Sequence, residues 1–108
     1  MKRGEVYWVH FDPSTGTEIR KTRPGVIVSN DQFNSFGLRF QIIPLTTQVD
    51  RIYPSEAYIF LNGEKRKAMA DQIITADRAR LGKKLGELST QDMRLVDRAL
   101  KVQLSLNP

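Results

Sequence analysis

"AYIFLNGEKRKAM", residues 57–69, is the stretch whose reading decides the fold. Asn62 and Gly63 both accept the positive φ that a tight primed turn requires, so the sequence predicts a hairpin. The hairpin pairs the apolar run 57–61 with the strand through Met69. Working outward, "EVYWVHF" (5–11), "GVIVS" (25–29), "FQIIPLT" (40–46) and "AMADQII" (68–74) are also short, and most are rich in β-branched or aromatic residues. "DPSTG" at 12–16 and "SND" at 29–31 supply turn chemistry between them. Short strands punctuated in this way predict a mainly β fold, a small antiparallel barrel.

The C-terminal end follows another period. Met93, Val96, Ala99, Leu100, Val102 and Leu104 largely keep helical spacing, and Ser89 with Asp92 resembles a capping box. One helix is therefore expected to close the barrel. No internal repeat or low-complexity tract interrupts the chain, and its 108 residues suit one domain spanning 1–108 with a single core.

Composition narrows the classes of function. Seventeen Lys and Arg against twelve Asp and Glu give a formal charge of +5, which favours a polyanionic partner. The absence of cysteine excludes a disulfide framework, thiolate metal sites and a thiol nucleophile, and a single histidine excludes a His-rich metal cage. No metal or other cofactor is expected. "MKRGEVYWVHFDPS" begins basic, but Glu5 and His10 interrupt its apolar stretch, which is too short and too polar for a signal peptide. No run reaches the length of a membrane span, so the cytoplasm is the expected compartment.

The charge is most concentrated in "TEIRKTRPGVIVSND", residues 17–31, where Arg20, Lys21 and Arg23 abut Pro24 and an apolar strand. Proline disfavours the helical region for the residue before it, so Arg23 is expected to be extended at a barrel edge. Val26, Ile27 and Val28 behind it form a stiff base, and Gly16 with Thr17 lets the preceding loop turn closely. Pattern alone also fits a solvated charge run.

Taken together, "RGEVYWVHFDPSTGTEIRKTRPGVIVSND", "IIPLTTQ" and "AMADQIITADRARLGKKLGEL" closely resemble the MazF/PemK family of toxin endoribonucleases. The likeness covers essentially the whole chain. It rests on joint occurrence, in order, of the G-E-x-x-W start, the DP-x-x-G-x-E loop, the R-P-x-V-I-V strand entry, the P-L-T-T-Q turn and the later D-Q.

The resemblance implies a type II toxin of the SH3-like, CcdB/PemK-like barrel class. Its activity would be metal-independent, sequence-specific cleavage of single-stranded mRNA by attack of the ribose 2′-OH, leaving 2′,3′-cyclic phosphate and 5′-OH ends. It implies three catalytic residues. Arg23 matches the family's arginine before proline, Thr46 its threonine or serine at a strand end, and Glu18 a glutamate that is catalytic or RNA-positioning in some members. Thr17, Arg20, Lys21, Thr47, Gln48, Asp71 and Gln72 are the expected RNA contacts. Some members carry an arginine two residues before the aspartate, where this chain has Met69; that departure disfavours an Asp/Arg couple and favours Arg23 with Thr46.

The chemistry suits these residue types. A guanidinium holds two phosphoryl oxygens at once and gives up a proton only to a strongly basic partner such as a departing alkoxide, so Arg23 is suited to stabilising charge, with proton donation to the leaving oxygen, over acting as a simple general base. A threonine hydroxyl donates to a phosphoryl oxygen, although such residues also cap their own turns. Glu18 is a possible proton acceptor or an exposed partner of Arg20 or Lys21, and Gln72 equally suits a loop-holding role. His10 is left out. Trp8, mid-strand, is expected in the core, whereas Phe33 and Phe36 are expected to meet a base, a partner or a dimer seam. Lys65, Arg66 and Lys67, with Arg78, Arg80, Lys83 and Lys84, are expected to extend a phosphate track or to be solvated.

The family further implies a two-fold homodimer and a MazE-like antitoxin protein whose acidic tail occupies the RNA site. Two rivals remain: a CcdB-like gyrase poison on the same fold, acting through its C-terminal helix, and a barrel that binds nucleic acid without cutting it.

Overall fold

The computed structural model describes residues 1–106, and residues 107 and 108, the last two of the expected domain, lie outside the described residues. Seven strands are named in chain order: β1 (Glu5–His10), β2 (Thr22–Ile27), β3 (Arg39–Thr46), β4 (Glu56–Leu61), β5 (Glu64–Met69), β6 (Ile74–Asp77) and β7 (Leu81–Glu87). Two helices complete the fold, a four-residue α1 (Asp31–Asn34) and the C-terminal α2 (Thr90–Gln103). The strands make one antiparallel sheet, ordered β4-β5-β3-β2-β1-β7, which curls into a half-barrel. β6 pairs with β3 as well, so the first half of β3 borders β6 and its last two residues border β5.

The hairpin forms as its sequence requires. Leu61 pairs with Glu64, and Asn62 and Gly63 between them have φ of 51° and 82°, the doubly positive turn that matches strand twist. The expected strand over 68–74 is instead split: β5 ends at Met69, a 3-10 turn takes Ala70–Gln72, and β6 resumes at Ile74. The break lets the chain leave β5 and return along the other half of β3. β7 carries no strand signal of its own in the sequence: "LGKKLGE" exposes most of its residues and exists as a strand through its pairing with β1.

Because side chains alternate across a strand, the sheet has two covered faces. Val6, Val26, Ile43, Leu45, Ile59 and Ala68 line one face, and Met93, Val96 and Ala99 of α2 cover it. Val9, Ile27, Ile42 and Phe40 line the other, in one cluster with Phe11 and with Ala76 of β6, which pairs with Phe40. Ser89 caps α2 by accepting the Asp92 backbone N–H at 3.0 Å, as its sequence suggests. The Asp92 carboxylate accepts the Phe60 N–H at 2.9 Å instead of returning to the cap, which ties the helix to edge strand β4. No helix among the described residues is long and apolar enough to cross a membrane.

A polar seam joins β1 to β7. The Glu5 carboxylate accepts from the Tyr7 hydroxyl at 2.8 Å and from Lys84 Nζ at 3.1 Å. Burial opposes its charge, but the Lys2 backbone N–H, the Tyr7 hydroxyl and the Lys84 ammonium outweigh burial and hold Glu5 at about 2. Burial, then the neighbouring Glu5 carboxylate, push Tyr7 up to about 12.

Candidate functional site

β2 begins with Thr22, Arg23 and Pro24 where the covered sheet runs out. Its ladder to β3 pairs Gly25 with Pro44, and beyond that pair the two strands part around an open cleft of about 720 Å³. Alternation puts Arg23 and Thr46 on the face that carries Ile27 and Ile42, at its uncovered end. Arg23 is exposed there. Thr46 Oγ1 accepts the Gln48 backbone N–H at 3.2 Å, so the hydroxyl shapes the β3–β4 turn while its own proton stays free to be donated.

The loop between β1 and β2 forms the facing wall. Phe11 N–H donates to the Lys21 carbonyl at 2.8 Å and closes it. Lys21 adopts φ 65°, a left-handed conformation uncommon for a residue with a side chain, and Gly16 turns at φ 59°. The Lys21 backbone N–H, with the Ser14 hydroxyl and the charges of Arg20 and Lys21, holds the Asp12 carboxylate below its usual range. Arg80 anchors the base of the loop, donating to the carbonyls of His10 and Asp12 at 3.0 and 2.9 Å. Glu18 closes the tip: one carboxylate oxygen accepts the Thr15 N–H at 2.6 Å.

Gln72, in the 3-10 turn after β5, reaches this loop from a distant part of the chain. Its side-chain oxygen accepts the Ile19 backbone N–H at 2.6 Å, the loop-holding contact that an amide provides. On the far side of that contact lies a second cavity of about 510 Å³, lined in part by Phe11, Ser14, Asp71 and Arg80. Thr17, Glu18, Ile19 and Gln72 border both cavities.

The expected site residues therefore separate. Arg23, Thr46, Glu18, Thr17, Arg20, Thr47, Gln48 and Gln72 converge on the cleft from three stretches of chain. Asp71 lines the neighbouring cavity, and Lys21, exposed at the base of the loop, lines neither. Phe36 stands exposed at the end of α1, and neither it nor Phe33 lines the cleft.

Two expectations need correction. Trp8 is 38% exposed and lines the cleft instead of filling the core. It shares a face with Val6 but stands opposite Pro24, past the last core residue of β1 on that face. Mid-strand position marked it as core; position relative to the strand's neighbours exposes it. The cluster Lys65, Arg66, Lys67 is not a uniform track either. Lys65 sits 3.9 Å from the centre of the Tyr58 ring, and Lys67 is buried against Glu56 at 3.2 Å and the Arg51 carbonyl at 3.0 Å, bracing the β3–β4 loop.

The comparisons with known proteins agree with this architecture. Residues 2–104 match the family model described as PemK-like, MazF-like toxin of type II toxin-antitoxin system. Endoribonuclease MazF9 of Mycobacterium tuberculosis (strain ATCC 25618 / H37Rv) is 32% identical over an alignment of 115 residues that covers 98% of each chain. Among solved structures, an endoribonuclease in complex with its cognate antitoxin from Mycobacterial species superposes with a TM-score of 0.83 at 27% identity, covering 100% of this chain and 98% of that one. MazF from Deinococcus radiodurans gives 0.84 at 25% identity, with coverage of 97% and 96%. With a matching strand-and-helix frame and a family match over nearly its full length, the chain belongs to the PemK-like, MazF-like toxins of type II toxin-antitoxin systems.

Proposed function

We propose that this MazF-like endoribonuclease toxin cuts single-stranded mRNA at the Arg23–Thr46 cleft, without metal, by in-line attack of a ribose 2′-OH on the adjacent phosphate. The bond from phosphorus to the 5′ oxygen breaks as the new one forms, leaving a 2′,3′-cyclic phosphate and a 5′-OH. Arg23 holds two phosphoryl oxygens and stabilises the extra negative charge of the transition state. The Thr46 hydroxyl donates to one of the same oxygens, and Arg23 passes a proton to the leaving oxygen. Glu18 is the candidate acceptor for the 2′-OH proton; its second carboxylate oxygen is the one available, since the first holds Thr15. Thr17, Arg20, Thr47 and Gln48 contact the strand within the cleft, Gln72 holds the loop, and Lys21 and Asp71 lie at its margins.

The observation that supports this reading is the convergence of Arg23, Thr46 and Glu18 on one open cleft, beyond the end of both packed faces. The remaining elements of the reading are one toxin domain over 1–108, a cytoplasmic homodimer, and a MazE-like antitoxin with an acidic tail that covers the cleft. A gyrase poison acting through α2 has no use for this convergence.

The test is incubation of the purified protein with long single-stranded RNA in EDTA, beside Arg23→Ala, with mapping of fragment ends. Discrete cuts bearing cyclic phosphate and 5′-OH, slowed in the variant by about 100- to 1000-fold, are expected. Intact RNA with the wild-type protein refutes the reading.

A further inference from the structure

We propose that Arg66 is a second anion ligand of the cleft, which binds a phosphate of the RNA strand next to the scissile one. The inference rests on the cleft being the RNA site. Arg66 belongs to none of the stretches that carry the family resemblance, and its neighbours Lys65 and Lys67 are both engaged within the protein.

The strand register shows where it stands. Leu45 pairs with Ala68 and Thr46 with Lys67, so Arg66 lies two residues beyond Ala68 on the same face. That is the face of Val26, Ile43 and Leu45, and along β5 its apolar run ends at Arg66, opposite the buried Ile59 of β4. Arg23 and Thr46 end the opposite face. The cleft straddles the end of the sheet, with Arg23 on one lip and Arg66 on the other.

Arg66 is also incompletely satisfied. Its side chain is only 19% exposed, yet Nε is buried without a hydrogen-bond partner, the only such buried side-chain nitrogen or oxygen among the described residues. Its one ion-pair contact runs from Nη2 to the exposed Glu64 at 3.4 Å, at the long end of hydrogen bonding. A buried donor left unpaired is unfavourable, and an anion accepting from Nε and a terminal nitrogen would pair it in the bidentate geometry that guanidinium favours.

The surroundings select a polyanion with planar bases. Arg20, Arg23 and Arg66 line the cleft against the single carboxylate of Glu18, while the charge of Lys67 there is taken up by Glu56. The half-exposed Trp8 indole beside them offers a face on which an unpaired base stacks. A strand that crosses from Arg66 to Arg23 therefore meets a cation on each lip and, next along the sheet on β1, an aromatic surface.

Binding is measured with a mixed-sequence 2′-O-methyl RNA, which lacks the attacking hydroxyl and is not cut. Wild type, Arg66→Gln and Arg66→Lys are compared from about 50 to 200 mM salt. Arg66→Gln should bind about tenfold more weakly at low salt and lose about 0.7 from the slope of log affinity against log salt, whereas Arg66→Lys should keep the slope. A structural role alone would not move that slope. Should Arg66→Gln unfold, Arg66→Met, which keeps the apolar stem, reads the same quantity. With cleavable RNA, KM should rise about tenfold and kcat stay within about twofold. An unchanged slope in a folded variant overturns the proposal, as does a loss confined to kcat. So does an Arg66-dependent slope for poly-glutamate with none for RNA, which would assign the residue to an acidic protein segment. Failure of wild type to cut RNA refutes the reaction proposed above and leaves the salt slope to decide on Arg66.

Discussion

β2 and β3 run side by side through two different environments. Where Val26 pairs with Ile43, both side chains are fully buried, and each is packed under β4, β5 and α2. Three residues earlier on β2 and three later on β3, Arg23 and Thr46 face an open cleft. The same two strands are a core at one end and a site at the other. The difference comes from packing: α2 on one face and the cluster around Phe11 on the other bury the middle of the sheet but do not reach its end. Rigidity is thereby delivered to residues that must themselves stay open to a ligand.

Truncating the sealed end should have the largest effect. Ile43→Ala leaves a cavity between the sheet and the helix and should cost about 2 to 5 kcal/mol of stability, measured by denaturant unfolding. Activity per folded molecule should stay within about twofold. An equal loss of turnover in the folded protein would break the division between core and site. Arg23→Ala is the reverse probe: the unfolding midpoint should hold while turnover falls by the two to three orders of magnitude given above.

Gln72 sharpens the comparison at an intermediate size. It contributes to the cleft by holding Ile19 and so is neither core nor open lip. Gln72→Met, of similar length, removes the amide oxygen and should loosen the β1–β2 loop. A rise in KM of about tenfold is expected, with stability lowered by about 1 kcal/mol, the typical net value of one hydrogen bond. Unchanged kinetics would show that the loop keeps its form without this contact.

The smallest effect lies away from the cleft, in the seam between β1 and β7. Glu5 is held at about 2 in the folded protein against an ordinary 4.5, so the unfolded chain binds this proton first as pH falls. The stability it supplies is complete above pH 4.5 and declines as pH approaches about 2. Glu5→Gln should flatten that part of the stability profile without altering cleavage near neutrality. A variant as acid-sensitive as wild type would place the loss at another carboxylate.

Much of the frame was legible because its signals are local. Asn62-Gly63 specifies its turn through backbone φ, Pro24 keeps Arg23 extended, and Ser89 caps α2 whatever else the chain does. β7 and the break after Met69 were not, since "LGKKLGE" has little apolar alternation and "AMADQII" reads as one run. Pairing with β1 and β3 decides both.

The sequence by itself determined that the chain is a mostly β toxin-family fold with a C-terminal helix, and that Arg23, Thr46 and Glu18 are its chemical candidates. Spacing and turn chemistry act within a few residues, and so does the motif order that carries the resemblance. Only the tertiary structure decided that Trp8 is exposed, that Lys67 is buried as a brace, and that Arg66 lines the same cleft as Arg23. Alternation along a strand tells which side chains share a face. Where that face stops being covered depends on neighbours that arrive from tens of residues away, and there the site opens.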